Sequence, residues 1–144
     1  MKKALVLGGL AALSIPAFVS GQVSAGKYIG AFDGQPGSKI KLVVGVADGR
    51  GTVREIRSKN FALTCEDETV GAKGSATLAG EIPVRRTGSF KVTDDNGTTT
   101  FKTRATVSNN KISGSFRFFG AIESDDGVSH ECDSGRQSFT AKAE

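Results

Sequence analysis

Residues 86–119 constrain the fold more than any other part of the chain, because two turn signals and one hydrophobic pattern agree there. Asn96-Gly97 is the dipeptide that a type I′ turn favours, since both central residues need positive φ. Asn109-Asn110 is a weaker form of the same signal. Apolar and polar residues alternate on either side of both dipeptides. This pattern predicts three antiparallel strands joined by two tight turns.

Two-residue turns would also set the register of these strands. The predicted pairs are Phe90–Thr103 and Val92–Phe101 across the first turn, and Phe101–Phe118, Thr103–Phe116, Ala105–Gly114 and Val107–Ile112 across the second. All of these residues share one face. The other face would carry hydroxyl and basic side chains, namely Ser89, Lys91, Thr93, Thr100, Lys102, Arg104, Ser113, Ser115 and Arg117. A slip of one residue would exchange the two faces, so the hydrophobic pattern supports this register.

Short strands are also predicted before and after this meander. They are Lys27–Phe32, Lys39–Val46, a strand returning from the turn at Asp48-Gly49, a strand with Phe61, Leu63 and Cys65 facing inward, Glu81–Arg86, Val128–Cys132 and Gln137–Ala143. Val53 and Ile56 are out of phase with each other, which predicts a β-bulge near Arg54-Glu55. Pro83 assigns its strand to a sheet edge.

Two polar stretches are predicted to be loops, a long one over residues 66–80 and a shorter one over Glu123–Gly127. The remaining pattern gives about nine short strands and no amphipathic helix. Such spacing predicts an all-β fold, in which an antiparallel meander closes as a small β-barrel or packs as a two-sheet β-sandwich.

The first 25 residues are predicted to be a cleaved signal peptide. Lys2 and Lys3 precede an uncharged, mostly apolar run, and Val23-Ser24-Ala25 supplies small residues before a cleavage site after Ala25, with Gly21 as the alternative site. Residues 26–144 would then be a single secreted β-domain. We expect it to be extracellular, or periplasmic or in the cell envelope if the host has an outer membrane, without a stable membrane anchor.

Cys65 and Cys132 are the only two cysteines. In an exported protein such a pair predicts a disulfide, which would close a loop of about 68 residues and contribute roughly 4 kcal/mol in the chain-entropy model. Two alternatives remain open. The cysteines could be buried free thiols, or Cys132 could be a catalytic thiol with His130, which would share a face of the same strand.

Composition argues against several classes of function. Without Lys2 and Lys3 the net charge falls from +4 to +2, no basic run remains, and the chain has one Tyr and no Trp, so we expect no nucleic-acid partner. One His and two disulfide-prone cysteines do not make a zinc site. The acidic stretches 94–97 and 123–127 lack the ligand spacing of a calcium loop and suit turns instead. We therefore predict no metal and no cofactor.

Enzymatic activity is also not predicted. His130 lies among Ser129, Glu131 and Asp133, but adjacent residues of a strand point to opposite faces, and no strained serine turn is visible. A hydrolase that uses His130 is the least favoured alternative. Phe119 breaks the alternation by following Phe118, so one of the two rings is expected to point outward. Beside Lys102, Arg104 and Arg117, Phe119 would form part of a candidate partner surface.

The chain resembles a group of small exported bacterial proteins of unknown function, each a two-cysteine β-domain behind a signal peptide. The likeness rests on Gly26-Lys27-Tyr28-Ile29-Gly30, Ile40-Lys41-Leu42-Val43-Val44, the cysteine after Phe61, Ile112-Ser113-Gly114-Ser115-Phe116, Cys132 with Ser134-Gly135, and Phe139-Thr140-Ala141. The resemblance implies the fold, export and the disulfide, and it brings no catalytic residue. A looser likeness to lipocalin and avidin meander barrels implies no ligand, because the aromatic-rich pocket of avidins is missing.

The sequence itself indicates no activity beyond that of a small secreted β-domain. Our expectation is a monomeric, non-enzymatic binding module for an unidentified extracellular ligand or protein. It would hold a small apolar ligand inside or meet a partner through the Lys102/Arg104/Arg117 face. The alternative is an inhibitor of an extracellular enzyme, with mobile loops at 66–80 and 121–127.

Overall fold

A computed structural model describes residues 23–66, 73–123 and 127–144 of the chain, so most of the predicted signal peptide lies outside the described residues. The described residues contain ten antiparallel strands, one more than predicted, and no helix. The strands are β1 (Gly26–Phe32), β2 (Lys39–Ala47), β3 (Arg50–Ala62), β4 (Thr64–Cys65), β5 (Lys73–Pro83), β6 (Ser89–Asp95), β7 (Thr99–Ser108), β8 (Lys111–Glu123), β9 (Ser129–Asp133) and β10 (Gln137–Ala143).

Eight of these strands follow one another as an up-and-down series that curls into a half-barrel. β1, β2, β3 and β5 pair in that order, β6, β7 and β8 pair in turn, and β10 joins the two halves by pairing with both β8 and β1. β4 and β9 form a short side ladder at the far end of β8. Among the described residues β5 pairs only with β3 and β6 only with β7, so the β5–β6 junction is the open side of the curl. The predicted all-β antiparallel class is confirmed.

The second turn of the meander is as predicted, and the first is not. Asn109 and Asn110 both have positive φ, 50° and 64°, and every predicted β7–β8 pair is present. In the first turn the Asn96 side chain accepts hydrogen bonds from the backbone N–H groups of Thr98 and Thr99, at 2.9 and 2.8 Å. These bonds stabilise a longer loop, so Val92 pairs with Thr103 and not with Phe101. The shift is two residues, which leaves the inner and outer faces unchanged.

The predicted long loop over residues 66–80 is wrong from residue 73 onward. β5 begins at Lys73 and pairs with β3 from Ala62 back to Thr52, while residues 67–72 lie outside the described part. Gly, Ala and Ser have little strand preference of their own, but the long β3 offers a backbone edge that pairs regardless of side chain. The edge position predicted from Pro83 is confirmed. The shorter predicted loop also starts later, because β8 continues to Glu123 and residues 124–126 are not described.

The predicted β-bulge near Arg54-Glu55 is confirmed. Val43 pairs with Glu55 and Val44 with Val53, so Arg54 is left without a partner on β2. The extra residue restores the phase of the strand, and Val53 and Ile56 are both fully buried. The bulge therefore lets one strand keep both side chains in the core.

Phenylalanine rings fill the interior of the half-barrel. Phe116 lies 5.0 Å from each of Phe32, Phe61 and Phe101, measured between ring centroids, and Phe118 lies 5.6 Å from Phe61. Most of these contacts are edge-to-face or tilted, as the ring quadrupole favours. Phe139 adds a further edge contact to Phe32. These aromatic side chains pack against one another as the centre of the core.

Candidate functional site: the basic groove

The outer face of β6, β7 and β8 brings basic side chains from three strands together. Lys91 lies directly opposite Arg104, and Lys102 lies directly opposite Arg117. All four side chains are exposed. The sequence predicted that these residues share a face. It did not predict the Lys91–Arg104 pair, which depends on the true register of the first turn.

A groove of about 540 Å³ runs over this face. The segment that links β9 to β10 forms its far wall, where Gly135 and Arg136 lie beside β8. We call this feature the basic groove and define it by its outward side chains: Lys91, Thr93, Lys102, Arg104, Ser115, Arg117 and Arg136. Five of the seven are cationic and the other two carry hydroxyl groups.

One carboxylate reaches the basic groove. The guanidinium of Arg117 donates two hydrogen bonds to Asp133, from Nε to Oδ1 at 3.1 Å and from the terminal nitrogen to Oδ2 at 2.6 Å. These hydrogen bonds lower the pKa of Asp133 and raise that of Arg117. Asp133 also accepts a hydrogen bond from the Gly135 backbone N–H at 2.7 Å, which holds the far wall in place.

The other four cations of the groove have no such partner. Within the three described ranges the ion pairs are Lys41–Glu55, Arg57–Glu55 and Arg117–Asp133. Lys91, Lys102, Arg104 and Arg136 take part in none of them. Five cations and the Asp133 carboxylate together give this region a charge of +4, as large as the formal net charge of the whole chain.

Phe119 is the outward ring of the Phe118-Phe119 pair, while Phe118 points into the core. The Phe119 ring is half-buried on the outer face, opposite Thr100. The Arg117 guanidinium carbon lies 4.5 Å from its centroid and the Lys102 ammonium 5.8 Å, within the range of cation–π contacts. The ring thus supports two cations of the groove. The structure places Lys102, Arg104, Arg117 and Phe119 on one continuous surface.

The predicted disulfide is confirmed, and it joins β4 to β9. Cys65 lies directly opposite Cys132, and both cysteines are buried. The alternative of free thiols is wrong, because both sulfurs are engaged. Cys132 consequently has no thiol to pair with His130, and it cannot act as a nucleophile while the disulfide is intact.

His130 lies on β9, outside the basic groove. It occupies the middle of β9 opposite Ile122, half-buried, between the exposed Ser129 and Glu131. The fourth candidate of the hydrolase alternative, Asp133, is hydrogen-bonded to Arg117.

The acidic turns behave as turns where they are described. Asp95 accepts a hydrogen bond from the Gly97 N–H at 2.8 Å, and Asn96 accepts those of the following residues. The second acidic stretch, 123–127, lies mostly outside the described residues. Across residues 23–66, 73–123 and 127–144, no three His, Cys, Asp or Glu side chains are grouped so that they could hold a metal ion.

Sequence reasoning missed two contributors to the groove. Arg136 follows a turn and belongs to no strand of the meander, so no periodicity links it to Lys91 or Lys102. Asp133 was considered only as a neighbour of His130. β9 and β10 bring both residues to β8, and this placement has no local signal in the sequence.

The described part of the chain contains no helix long and apolar enough to cross a membrane. Comparison of the chain with protein-family models, with curated proteins and with solved structures gave no match. The geometry of the basic groove is the basis for the function proposed below.

Proposed function

We propose that this protein is an exported, non-enzymatic binding protein that holds an anionic partner in the basic groove. The observation that carries the proposal is the pair of directly opposed cations, Lys91–Arg104 and Lys102–Arg117, on three adjacent strands. Like charges directly opposite each other destabilise a sheet. A bound anion would offset this repulsion.

The arrangement differs from that of other opposed cations in the molecule. Lys41 and Arg57 also face each other, but Glu55 lies within 3.5 and 3.1 Å of them. Lys39 and Lys59 are opposed on β2 and β3, and Lys111 and Lys142 are opposed on β8 and β10; all four side chains are exposed to solvent. Only the basic groove combines two opposed pairs, a fifth cation and a concave surface within the described residues.

The alternatives predicted from the sequence have less support. The rings of Phe32, Phe61 and Phe116 occupy the interior, which disfavours the internal apolar ligand. The inhibitor alternative used loops at 66–80 and 121–127, and residues 73–80 and 121–123 of these stretches belong to strands β5 and β8.

Export is part of the proposal. It is supported by the predicted signal peptide over residues 1–25 and by the Cys65–Cys132 disulfide, which is compatible with an oxidising extracellular or periplasmic compartment. The resemblance to small exported two-cysteine domains stays a prediction.

Retention on immobilised dextran sulfate, a generic polyanion, tests the function. The variant Lys91→Ala/Arg104→Ala should elute at clearly lower salt than wild type. The matched control is Lys39→Ala/Lys59→Ala, which removes two opposed cations outside the groove and should elute close to wild type. If both variants eluted at equally lowered salt, retention would depend on net charge alone, and the proposed site would be wrong.

A further inference from the structure

We infer that the anionic partner is a linear acidic polysaccharide, whose chain crosses β6, β7 and β8 along the basic groove. This inference rests on the proposed function and names the chemistry of the ligand. Three features of the groove support it: the spacing of its charges, its hydroxyl groups, and the scarcity of apolar and aromatic surface around it.

The charges and hydroxyls of the groove form two rows across the strands. One row contains Lys91, Arg104 and Ser115, and the other contains Thr93, Lys102 and Arg117, because cross-strand partners lie side by side. Neighbouring strands are about 4.8 Å apart. A ligand lying across the strands therefore meets a polar or cationic group at intervals comparable with the length of one sugar ring.

Each row mixes cations with a hydroxyl group. Asp133, which accepts hydrogen bonds from Arg117, adds a carboxylate beside the groove. Hydroxyls and a carboxylate suit a ligand whose own hydroxyl groups alternate with acidic groups. Uronate-type and sulfated sugar chains have the alternating character.

Other anionic partners fit the same surface less well. A strand of nucleic acid is held by aromatic stacking platforms. Phe116 lines the groove but its side chain is buried in the core, and the neighbouring Phe119 ring is engaged by Arg117 and Lys102. A membrane surface requires apolar side chains beside the cations. The exposed large hydrophobic residues of the described part, Val46 and Val128, lie on neither β6, β7 nor β8.

The size of the groove agrees with a short oligosaccharide. A volume of about 540 Å³ lies within the range of about 300–1,000 Å³ that small-ligand sites have. A protein partner would instead need a surface patch of about 800 Å² with a well-packed centre. The groove is therefore suited to a few consecutive sugar units.

The test uses the disulfide-bonded mature protein and a hexamer of galacturonic acid, with binding measured by calorimetry at low and physiological salt. We expect salt-dependent binding that the Lys91→Ala/Arg104→Ala variant loses by about tenfold or more, as expected when charge-assisted hydrogen bonds are removed. The Lys39→Ala/Lys59→Ala control should stay within about twofold of wild type. Amide NMR shifts caused by the hexamer should concentrate on β6, β7 and β8.

Three comparison probes separate the possible outcomes. The methyl-esterified hexamer has the same sugar units without charge and should not bind. A ten-nucleotide single strand and vesicles rich in anionic lipid should bind more weakly than the hexamer. Tighter, groove-dependent binding of the oligonucleotide or the vesicles would overturn the polysaccharide and leave the proposed function standing. If no anionic probe binds in a groove-dependent manner, both proposals fail.

Discussion

The outer faces of β2–β3 and of β6–β8 both contain directly opposed cations, but they differ in whether a carboxylate lies beside them. In the first, Lys41 and Arg57 oppose each other, and Glu55 contacts both at 3.5 and 3.1 Å. On β6–β8, Lys91 opposes Arg104 and Lys102 opposes Arg117, and among the described residues only Arg117 of these four has a carboxylate partner. A sheet of this chain can thus neutralise opposed cations from within. The proposed binding function and this difference between the two faces can be tested together.

The largest expected change in ligand affinity comes from removing three of the cations of the basic groove. The triple variant Lys91→Ala/Lys102→Ala/Arg104→Ala should reduce hexagalacturonate affinity by about 1,000-fold, since three charge-assisted hydrogen bonds of about 1.5 kcal/mol each are lost and about 1.4 kcal/mol is a factor of ten. Calorimetry measures the affinity, and circular dichroism should show an unchanged fold because all three side chains are exposed. An affinity within threefold of wild type would contradict the assignment of the site.

A smaller effect is expected when the groove is made to resemble β2–β3. Ser115 lies directly opposite Arg104, so Ser115→Glu places a carboxylate beside the unpaired cations. Affinity for the hexamer should fall about tenfold, because the new carboxylate repels the anionic ligand. The free energy of unfolding should rise by about 0.5 kcal/mol, because the carboxylate attracts Arg104 directly opposite it. A fall in affinity together with a rise in stability would show that the unpaired cations bind the ligand. A loss of both affinity and stability would indicate a misfolded groove.

Removing the carboxylate that pairs with Arg117 should raise the affinity for an anion. Asp133→Asn keeps an acceptor for the Gly135 N–H and releases the Arg117 guanidinium, so affinity for dextran sulfate should rise about threefold. Sulfate esters stay ionised in acid, which allows the same probe to be used over a wide pH range.

The pH dependence follows from the lowered pKa of Asp133. A carboxyl group whose pKa is lowered by folding contributes stability above its unfolded value of about 3.9, and this contribution is lost as the pH falls through the folded value. Wild-type affinity for dextran sulfate should therefore approach that of Asp133→Asn only below the usual carboxyl range. A rise in affinity that begins near neutral pH would assign the effect to another group.

The smallest effect is expected on the β2–β3 face. Glu55→Gln leaves Lys41 and Arg57 opposed without an acid, and stability should fall by about 0.5 kcal/mol, because partly exposed ion pairs contribute little. Urea unfolding at low salt measures the change, and added salt should diminish it. Hexamer affinity should stay at the wild-type value. A new binding site on this face would show that opposed cations bind the ligand wherever they occur.

The two turns of the meander show how far the sequence could be interpreted. The Asn109-Asn110 turn forms as predicted, with both residues at positive φ. The stronger dipeptide, Asn96-Gly97, does not, because the Asn96 side chain stabilises a longer loop through hydrogen bonds to Thr98 and Thr99. Backbone preference alone therefore predicted the register of one turn and misassigned that of the other by two residues.

The sequence by itself determined the all-β class, the disulfide and the face on which each meander side chain lies. These depend on alternation and on a cysteine pair, and a register error of two residues leaves the faces intact. Only the tertiary structure decided that residues from 73 onward form β5, that β10 pairs with both β1 and β8, and that Asp133 and Arg136 flank the groove. The physical reason is that backbone pairing between distant segments depends on which edges meet, and no local pattern records which edges those are.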